Sequence, residues 1–281
     1  MVNFNGDLIP EGTAFLGETN RGLCYGDAVF ETIRVVNSRI FFWEDHYLRL
    51  MAAMRILRMD IPMNFTMEYL EASILQTLKA NAQENLPVRV RLTVFRNEGG
   101  FYTPEVNTVS YIISTSVLEA PFYMLPDTPY EVELFKDHWI PAGLLSTLKS
   151  ANKVTHVVAG IYAHENGYEN CLLLNERKNV VEAINGNIFL VSGNVVKTPP
   201  LTDGCLNGIM RKQLLKVISK TEGLTLEEAS ISPFELQKAD ELFITNVIHG
   251  IHPITKYRKK IYEKDVSRSL LGRVNALARL T

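Results

Sequence analysis

The chain has 281 residues, of which 46% are hydrophobic, and a formal net charge of −2. This length and composition support a sizeable buried core in one large or two ordinary domains. The small net charge gives no reason to expect a nucleic-acid partner, and no run of about 20 apolar residues predicts a membrane span. Three scattered cysteines and an N-terminus without a signal-peptide pattern favour a cytoplasmic protein with no disulfide framework and no metal site.

The first part of the chain combines strands with two helices. Asn5-Gly6 separates two short β-prone runs and predicts a tight hairpin turn. Asp45 predicts the N-cap of a helix that carries Leu48, and a second apolar stripe predicts a helix over 66–82. Alternating or β-branched residues predict strands over 2–4, 7–9, 28–36, 39–43, 88–94 and 109–115.

Prolines at positions 121, 126 and 129 interrupt this pattern and remove backbone donors. We therefore expect an N-terminal α/β domain over 1–118, a linker over 119–129 and a C-terminal domain over 130–281. In the C-terminal domain the pattern predicts helices over 152–166, 209–222 and 266–280, and strands over 172–174, 180–181, 188–191, 195–196 and 242–245. Gly250 and Pro253 oppose a helix around His249 and His252, so we interpret that region as a loop without a metal.

Three features of the second half of the chain match the needs of one cofactor. Lys149 precedes a predicted helix, Glu182 ends a β-prone run, and Gly208 opens a helix whose first N–H groups have no partner within the helix. A lysine forms a Schiff base, a carboxylate partners a pyridinium nitrogen, and a helix N-terminus binds a phosphate. Together they match the needs of a site for pyridoxal 5'-phosphate, although Lys149 taken from the local sequence alone is equally read as an ordinary solvated lysine near a helix start.

The segments that carry these residues resemble the class IV aminotransferases. These fold-type IV enzymes include branched-chain aminotransferase, D-amino acid aminotransferase and aminodeoxychorismate lyase. The matching segments follow one another in order along nearly the whole chain: RGLCYGD at 21–27, VFETIR at 29–34, HYLRL at 46–50, LKSAN at 148–152, NVVE at 179–182, NGIMR at 207–211 and ADELFITN at 239–246. The resemblance implies an α+β fold, with a smaller N-terminal α/β domain and a larger cofactor-binding domain that has a barrel-like β core and flanking helices.

The resemblance also implies a role for each cofactor-binding residue. Lys149 forms the Schiff base and, once displaced, shuttles a proton, while Glu182 keeps the pyridine nitrogen protonated so that the ring is a stronger electron sink. The residues implied at the phosphate are Arg49, Gly208, Ile209, Met210, Asn246 and Val247. Met210 and Val247 stand where relatives carry hydroxyl residues, so we expect those two positions to contribute only backbone contacts.

A third group of residues is predicted to bind the substrate. Its members are Tyr25, Phe30, Arg89, Arg91, Arg96 and Lys153. Arg89 and Arg91 share a strand face, where they either bind substrate carboxylates or only solvate an edge. Arg96 begins a loop with the glycine pair Gly99-Gly100, which predicts a mobile lid over the substrate. Lys153 follows Asn152, as a basic residue does in some lyases.

The residues leave more than one function open. As an aminotransferase, the broader description, the enzyme takes a small-molecule amino acid, possibly branched-chain, and a 2-oxo acid. As a lyase it releases pyruvate and 4-aminobenzoate from aminodeoxychorismate in folate synthesis, which the Asn152-Lys153 pair favours and Phe101 opposes. A non-enzymatic phosphate-binding regulatory domain needs neither Lys149 nor Glu182. The resemblance further implies a homodimer in which the loop 99–102 closes a pocket of the partner subunit.

Overall fold

The computed structural model describes residues 1–279 and divides the chain into two units. Unit 1 comprises Met1–Pro121 together with the short segment Lys149–Asn152, and unit 2 comprises Phe122–Leu148 and the residues from Lys153 onward. The change of unit after Pro121 falls inside the predicted linker, 119–129. The sequence does not predict that Lys149–Asn152 belongs with unit 1.

Unit 1 is built on a six-stranded antiparallel sheet with the strand order β2-β1-β6-β5-β3-β4. Its strands are β1 (Val2–Phe4), β2 (Asp7–Ile9), β3 (Ala28–Val36), β4 (Arg39–Ile40), β5 (Pro87–Arg96) and β6 (Val109–Val117). Its helices are α1 (Arg21–Tyr25), α2 (Trp43–Ile56) and α3 (Met67–Ala80). Helix α2 packs on β3, and α3 packs on β1 and β6.

The sequence predicts helix α3 well and the start of α2 badly. Thr66 caps α3 by accepting the Tyr69 N–H, and the predicted stripe of Leu70, Ile74 and Leu78 is fully buried. Helix α2 begins at Trp43. The residue before it, Phe42, is the N-cap and has a left-handed backbone, which turns the chain directly from the hairpin into the helix. The prediction of an N-cap at Asp45 is therefore wrong, and half-exposed Leu48 does not face the core.

Unit 2 contains a ten-stranded mixed sheet that branches at one strand. Its strands are β7 (Glu131–Ile140), β8 (Asn170–Asn175), β9 (Val180–Ala183), β10 (Gly186–Ser192), β11 (Val195–Thr198), β12 (Thr225–Glu228), β13 (Glu241–Asn246), β14 (Gly250–Ile254), β15 (Lys256–Tyr257) and β16 (Lys260–Ile261). Strand β10 pairs with β9, β11 and β13. Because of this branching, strands on both sides of β10 contribute to one buried cluster, which includes Leu172, Ile188, Leu242 and Ile254.

The described part of unit 2 also has four α-helices: α4 (Val154–Glu165), α5 (Ile209–Ser219), α6 (Pro233–Leu236) and α7 (Asp265–Ala278). Helix α4 packs on β7 and β8, and its apolar residues Val154, Val157 and Ile161 are exposed. The last residues of the helix predicted over 266–280 lie outside the described residues. Across residues 1–279, every helix is too short or too polar to cross a membrane.

The prediction of a loop around His249 and His252 is wrong for His252, which lies on β14. Pro253 pairs with Phe243 of β13, and β13 is the strand neighbour of β14 in the described part of the sheet. A proline lacks the N–H that a central strand needs, but a strand at the border of a sheet tolerates it. The mixed α and β architecture otherwise agrees with the predicted α+β class.

Candidate functional site

The backbone around Lys149 pairs with the edge of β3. The Phe30 N–H donates to the Lys149 carbonyl over 2.9 Å, the Ala151 N–H donates to the Ala28 carbonyl over 2.9 Å, and Val29 lies opposite Ser150. The side chain of Lys149 consequently lies beside Phe30, with Nζ 4.6 Å from the centre of the phenyl ring. These main-chain hydrogen bonds fix the backbone of Lys149 against β3, and they thereby fix the point from which its side chain extends.

Phe30 also contacts Arg91, whose guanidinium carbon lies 3.9 Å from the ring centre. Arg89 is two residues away on β5, so both arginines project from the sheet face that carries Phe30. Burial lowers the pKa of Arg91 below its usual value, and the positive charge of Arg89 lowers it further. The structure therefore brings Lys149, Phe30, Arg89 and Arg91 together on one cationic face of unit 1, which suits an anionic ligand.

Arg96 lies on the opposite face of β5, so the structure does not place it with these residues. It is 5% exposed, and it donates Nε to Asp27 over 2.8 Å and Nη2 to the Leu57 carbonyl over 2.6 Å. Its Nη1 donates to the side chain of Asn107 over 2.5 Å. These contacts describe a guanidinium that ties loops of unit 1 together.

The loop predicted to be a lid is held by Arg21, which the sequence reasoning did not single out. Arg21 Nη1 donates to three successive carbonyls, those of Gly99, Gly100 and Phe101, over 2.7–3.2 Å. Tyr25 lies near this loop, with its ring centre 5.7 Å from that of Tyr102. The loop thus has a defined anchor, while the side chains of Phe101 and Tyr102 are 81% and 91% exposed.

Arg49 forms a buried cluster with Glu31 and His46. Its Nε lies 2.8 Å from Glu31 Oε1 and its Nη2 lies 2.5 Å from Oε2, while His46 Nδ1 lies 2.6 Å from the same Oε2. Burial alone raises the pKa of the Glu31 carboxyl, but Arg49 and His46 outweigh it and hold the pKa at about 2. Sequence reasoning missed Glu31 and His46, although a glutamate within the buried strand β3 was a signal for a polar partner.

This cluster predicts a loss of stability in acid. The pKa of Glu31 falls from 4.5 in the unfolded chain to about 2 in the folded one, so its contribution is complete above pH 4.5 and disappears as the pH approaches 2. The difference corresponds to about 3 kcal/mol. Urea unfolding at pH 7 and near pH 3 should show a steeper loss for the wild type than for Glu31→Gln. Glu44→Gln, an exposed change on α2, should follow the wild type, and parallel curves for wild type and Glu31→Gln would contradict this account.

Glu182 is buried near the end of β9, just before the turn that leads into β10. It lies opposite Asn187 in the sheet, and its Oε2 accepts the Leu206 N–H over 2.8 Å. Asn187 donates Nδ2 to the Leu206 carbonyl over 2.8 Å. Both backbone groups of Leu206 are therefore bound by this pair of strand residues, which positions the loop that leads into α5. The other carboxylate oxygen, Oε1, lies 2.9 Å from His156 Nε2.

Gly208 is the N-cap of α5, and a larger residue there would have to displace the side chain of Asn187. A Cβ atom there would overlap Asn187 Oδ1. The N–H groups of Ile209 and Met210 lie in the first turn of the helix, where they have no helical acceptor. A backbone that approaches this closely and a helix N-terminus are the elements from which proteins build phosphate sites.

The turn after β13 lies at the same end of β10. Asn246 Oδ1 accepts the N–H groups of Ile248 and His249, and Nδ2 donates to the Asn185 carbonyl, just before β10. The carbonyl of Val247 accepts the hydroxyl of Tyr123 over 3.0 Å. Within unit 2 the structure thus gathers the predicted residues Glu182, Gly208, Ile209, Met210, Asn246 and Val247 around one end of β10. Lys153 is the N-cap of α4.

These groups fit pyridoxal phosphate chemically. Unit 1 by itself contains an anchored lysine beside a cationic face, and unit 2 by itself contains a buried carboxylate near a helix N-terminus and a glycine that permits close approach. The amine, the carboxylate and the N–H donors match the aldehyde, the ring nitrogen and the phosphate of that cofactor. The individual roles of these residues remain predictions.

Residues 28–257 match the family described as amino-transferase class IV, and the chain belongs to this family. It is 31% identical over 255 residues to a protein of Methanocaldococcus jannaschii that is provisionally named a branched-chain-amino-acid aminotransferase, covering 90% of this chain and 86% of that protein. It is 27% identical over 259 residues to the D-alanine aminotransferase of Staphylococcus epidermidis, covering 91% and 88% of the two chains.

Solved structures share the fold over almost the full length. The branched-chain aminotransferase of Thermoproteus uzoniensis with norvaline superposes with a TM-score of 0.87 and 26% identity, covering 99% of this chain and 94% of that one. The 4-amino-4-deoxychorismate lyase of Pseudomonas aeruginosa superposes with a TM-score of 0.81 and 24% identity, covering 98% of each chain. At this identity the comparison supports a shared fold and nothing more. The predicted family, fold class and cofactor are confirmed, and the protein is a pyridoxal-phosphate-dependent enzyme.

Proposed function

We propose that this enzyme is a transaminase that moves an amino group between an amino acid and a 2-oxo acid, with Lys149 as the lysine that holds the cofactor. The observation that carries the proposal is the pairing of Lys149–Ala151 with β3, which fixes the amine beside Phe30 and Arg91. A reactive lysine needs a fixed position, because proton transfer requires the amine to stay within hydrogen-bond reach of the reacting atom.

The other proposed site residues have separate roles at the ring nitrogen and at the phosphate of the cofactor. Pyridoxal phosphate, when bound, supplies an electron sink for the negative charge that forms at the substrate Cα. Lys149 would take the proton from Cα and deliver it to C4′ of the cofactor, and Glu182 would hold the proton on the ring nitrogen. Arg49 and the N-terminus of α5 bind the phosphate, which receives charge-assisted hydrogen bonds from both.

Arg91 and Arg89 are proposed to bind substrate carboxylates. Their shared face and the contact of Arg91 with Phe30 favour this role over mere solvation of a sheet edge. Amino acids and 2-oxo acids both carry a carboxylate, so this face suits the donor and the acceptor of a transamination alike. Tyr25 and Phe30 contribute aromatic walls, whereas the contacts of Arg96 favour a structural role.

The second candidate is the elimination of pyruvate from aminodeoxychorismate. The pair Asn152-Lys153 shortly after Lys149 favours it, and Asn152 Nδ2 donates to the Gly26 carbonyl, which fixes Asn152 beside the RGLCYGD segment. The cationic face fits this substrate too, because aminodeoxychorismate carries two carboxylates. The residues at the lysine are shared by both reactions, so the reaction must be tested directly.

The test supplies the purified holoenzyme with L- and D-amino acids and 2-oxo acid acceptors, and in a parallel assay with aminodeoxychorismate. A transaminase forms a new amino acid and a new 2-oxo acid in equal amounts. Release of pyruvate and 4-aminobenzoate without an acceptor would replace the transaminase proposal with the lyase. Absence of visible cofactor absorbance from the purified protein would overturn both.

We further propose that the enzyme is a homodimer. Phe101 and Tyr102 present large apolar surfaces on a loop that Arg21 anchors, and exposed aromatic groups of this kind mark contact surfaces. Light scattering of the purified enzyme should give about twice the 31.8 kDa mass of the chain. Replacing Phe101 and Tyr102 by serine should shift the mass towards the monomer and lower turnover. A fully active monomer at the assay concentration would contradict the proposal.

A further inference from the structure

The carboxylate of Glu182 is held by a histidine that lies outside every segment of the family resemblance. His156 is on the first turn of α4, and its Nε2 lies 2.9 Å from Glu182 Oε1. The two side chains are only 13% and 5% exposed. This contact joins α4 to the strand end where the predicted cofactor-binding residues of unit 2 gather.

The hydrogen-bond roles in this contact follow from the chemistry of the two groups. A carboxylate accepts hydrogen bonds, so Nε2 of His156 must be the nitrogen that carries the proton. The other ring nitrogen, Nδ1, is buried and has no hydrogen-bond partner among the described residues. Burying a polar atom without a partner is unfavourable, and the hydrogen bond to Glu182 offsets part of that cost for this ring.

The remaining acceptor positions of Glu182 suit one more donor. Its Oε2 accepts the Leu206 N–H, and its Oε1 accepts from His156. A carboxylate has about four acceptor positions, so a third donor such as a protonated ring nitrogen can still bind. With a donor fixed on each oxygen, the carboxylate is held against rotation about its last torsion angle, which is otherwise broad.

We propose that His156 is a positioning residue that orients Glu182 towards the ring nitrogen of pyridoxal phosphate. This inference rests on the proposed role of Glu182. Among the residues that the structure describes, loss of the histidine leaves the Leu206 N–H as the one donor to the carboxylate, so the carboxylate rotates and holds the ring-nitrogen proton less well. The proton should then be partly lost, and removal of the Cα proton should slow because an unprotonated ring is a weaker electron sink.

The test uses holoenzyme loaded with pyridoxal phosphate that carries ¹⁵N in the ring, and it compares variants at position 156. His156→Leu removes the donor, His156→Gln places an amide N–H at the position of Nε2, and His156→Asn is too short to do so. His164→Leu, on the exposed side of α4, is the matched control. The readouts are the ¹⁵N chemical shift of the ring nitrogen and the rate of Cα deprotonation in a single half-reaction.

We expect His156→Leu and His156→Asn to move the ¹⁵N chemical shift of the ring nitrogen towards the value of an unprotonated ring. Deprotonation of Cα should slow roughly ten- to a hundredfold in both variants, which is the usual effect of losing a hydrogen bond to a charged group. His156→Gln and His164→Leu should resemble the wild type. In a Glu182→Gln background, His156→Leu should add little, because both changes act through one carboxylate.

The possible outcomes separate the two proposals. If Glu182→Gln moves the ¹⁵N shift and His156→Leu does not, the role of His156 is wrong and that of Glu182 stands. If the leucine and glutamine variants at position 156 are equally impaired, the ring is needed for packing rather than for positioning, and the inference also fails. If the shift is unchanged even in Glu182→Gln, the proposed function of Glu182 is itself overturned, and the inference with it.

Discussion

Replacement of Lys149 by alanine is expected to abolish turnover while the protein remains folded. In the proposed function the amine is both the attachment point of the cofactor and the proton carrier, and a positioned general acid–base alone contributes about 10²–10⁴-fold to a rate. The backbone of residue 149 makes its hydrogen bond to Phe30 through its carbonyl, which alanine retains. Steady-state turnover and far-UV circular dichroism measure the two parts of this expectation.

Lys79→Ala is the matched control for this change. Lys79 is exposed in the last turn of α3, in the same unit as Lys149, so its loss should leave turnover and cofactor absorbance unchanged. Full turnover by Lys149→Ala would overturn the assignment of the lysine. Loss of circular dichroism in that variant would mean instead that the side chain of Lys149 is needed for folding.

Glu182→Gln is expected to retain the cofactor but to slow Cα deprotonation about 10²–10³-fold, the usual cost of losing one fixed electrostatic partner. A neutral amide cannot hold a proton on the ring nitrogen. The amide also has one acceptor oxygen where the carboxylate has two, so either His156 or Leu206 must face its NH₂ group. Stopped-flow absorbance of the half-reaction measures this step.

Glu222→Gln provides the comparison, because Glu222 is exposed near the end of α5 and should behave as the wild type. A deuterated Cα position should give a larger isotope effect in Glu182→Gln than in the wild type, since the slowed step then limits the rate. An unchanged rate of deprotonation in Glu182→Gln would show that this carboxylate does not partner the ring nitrogen.

Much of the fold follows from local sequence, and the exceptions have physical causes. Thr66 and the stripe of α3 predict that helix because the cap and the apolar period agree. The start of α2 escapes prediction because Phe42 adopts a left-handed backbone that bulky residues rarely take. Strand β14 escapes it because Pro253 is tolerated only through its place in the sheet, which is a tertiary property.

The candidate site shows the same division. Lys149, Glu182 and Gly208 could be predicted because each stands at a recognisable boundary between elements. Two other contacts of the site form only after folding, because their partners are far apart in the chain. Glu31 and His46 are 15 residues apart, and Glu182 and His156 are 26 residues apart. The sequence predicts that Arg96 begins a loop, and only the extension of β5 to this residue shows that it projects from the face opposite to Arg89 and Arg91.

Reduction of the holoenzyme with borohydride, followed by proteolysis and mass spectrometry, tests the central claim most directly. Borohydride fixes the cofactor on the lysine that carries it, so the modified residue can be read from the peptide. The proposed function predicts loss of the visible absorbance and a phosphopyridoxyl group on the peptide that contains Lys149. A label on another lysine, such as Lys153, or a cofactor that is released without any label, would contradict it.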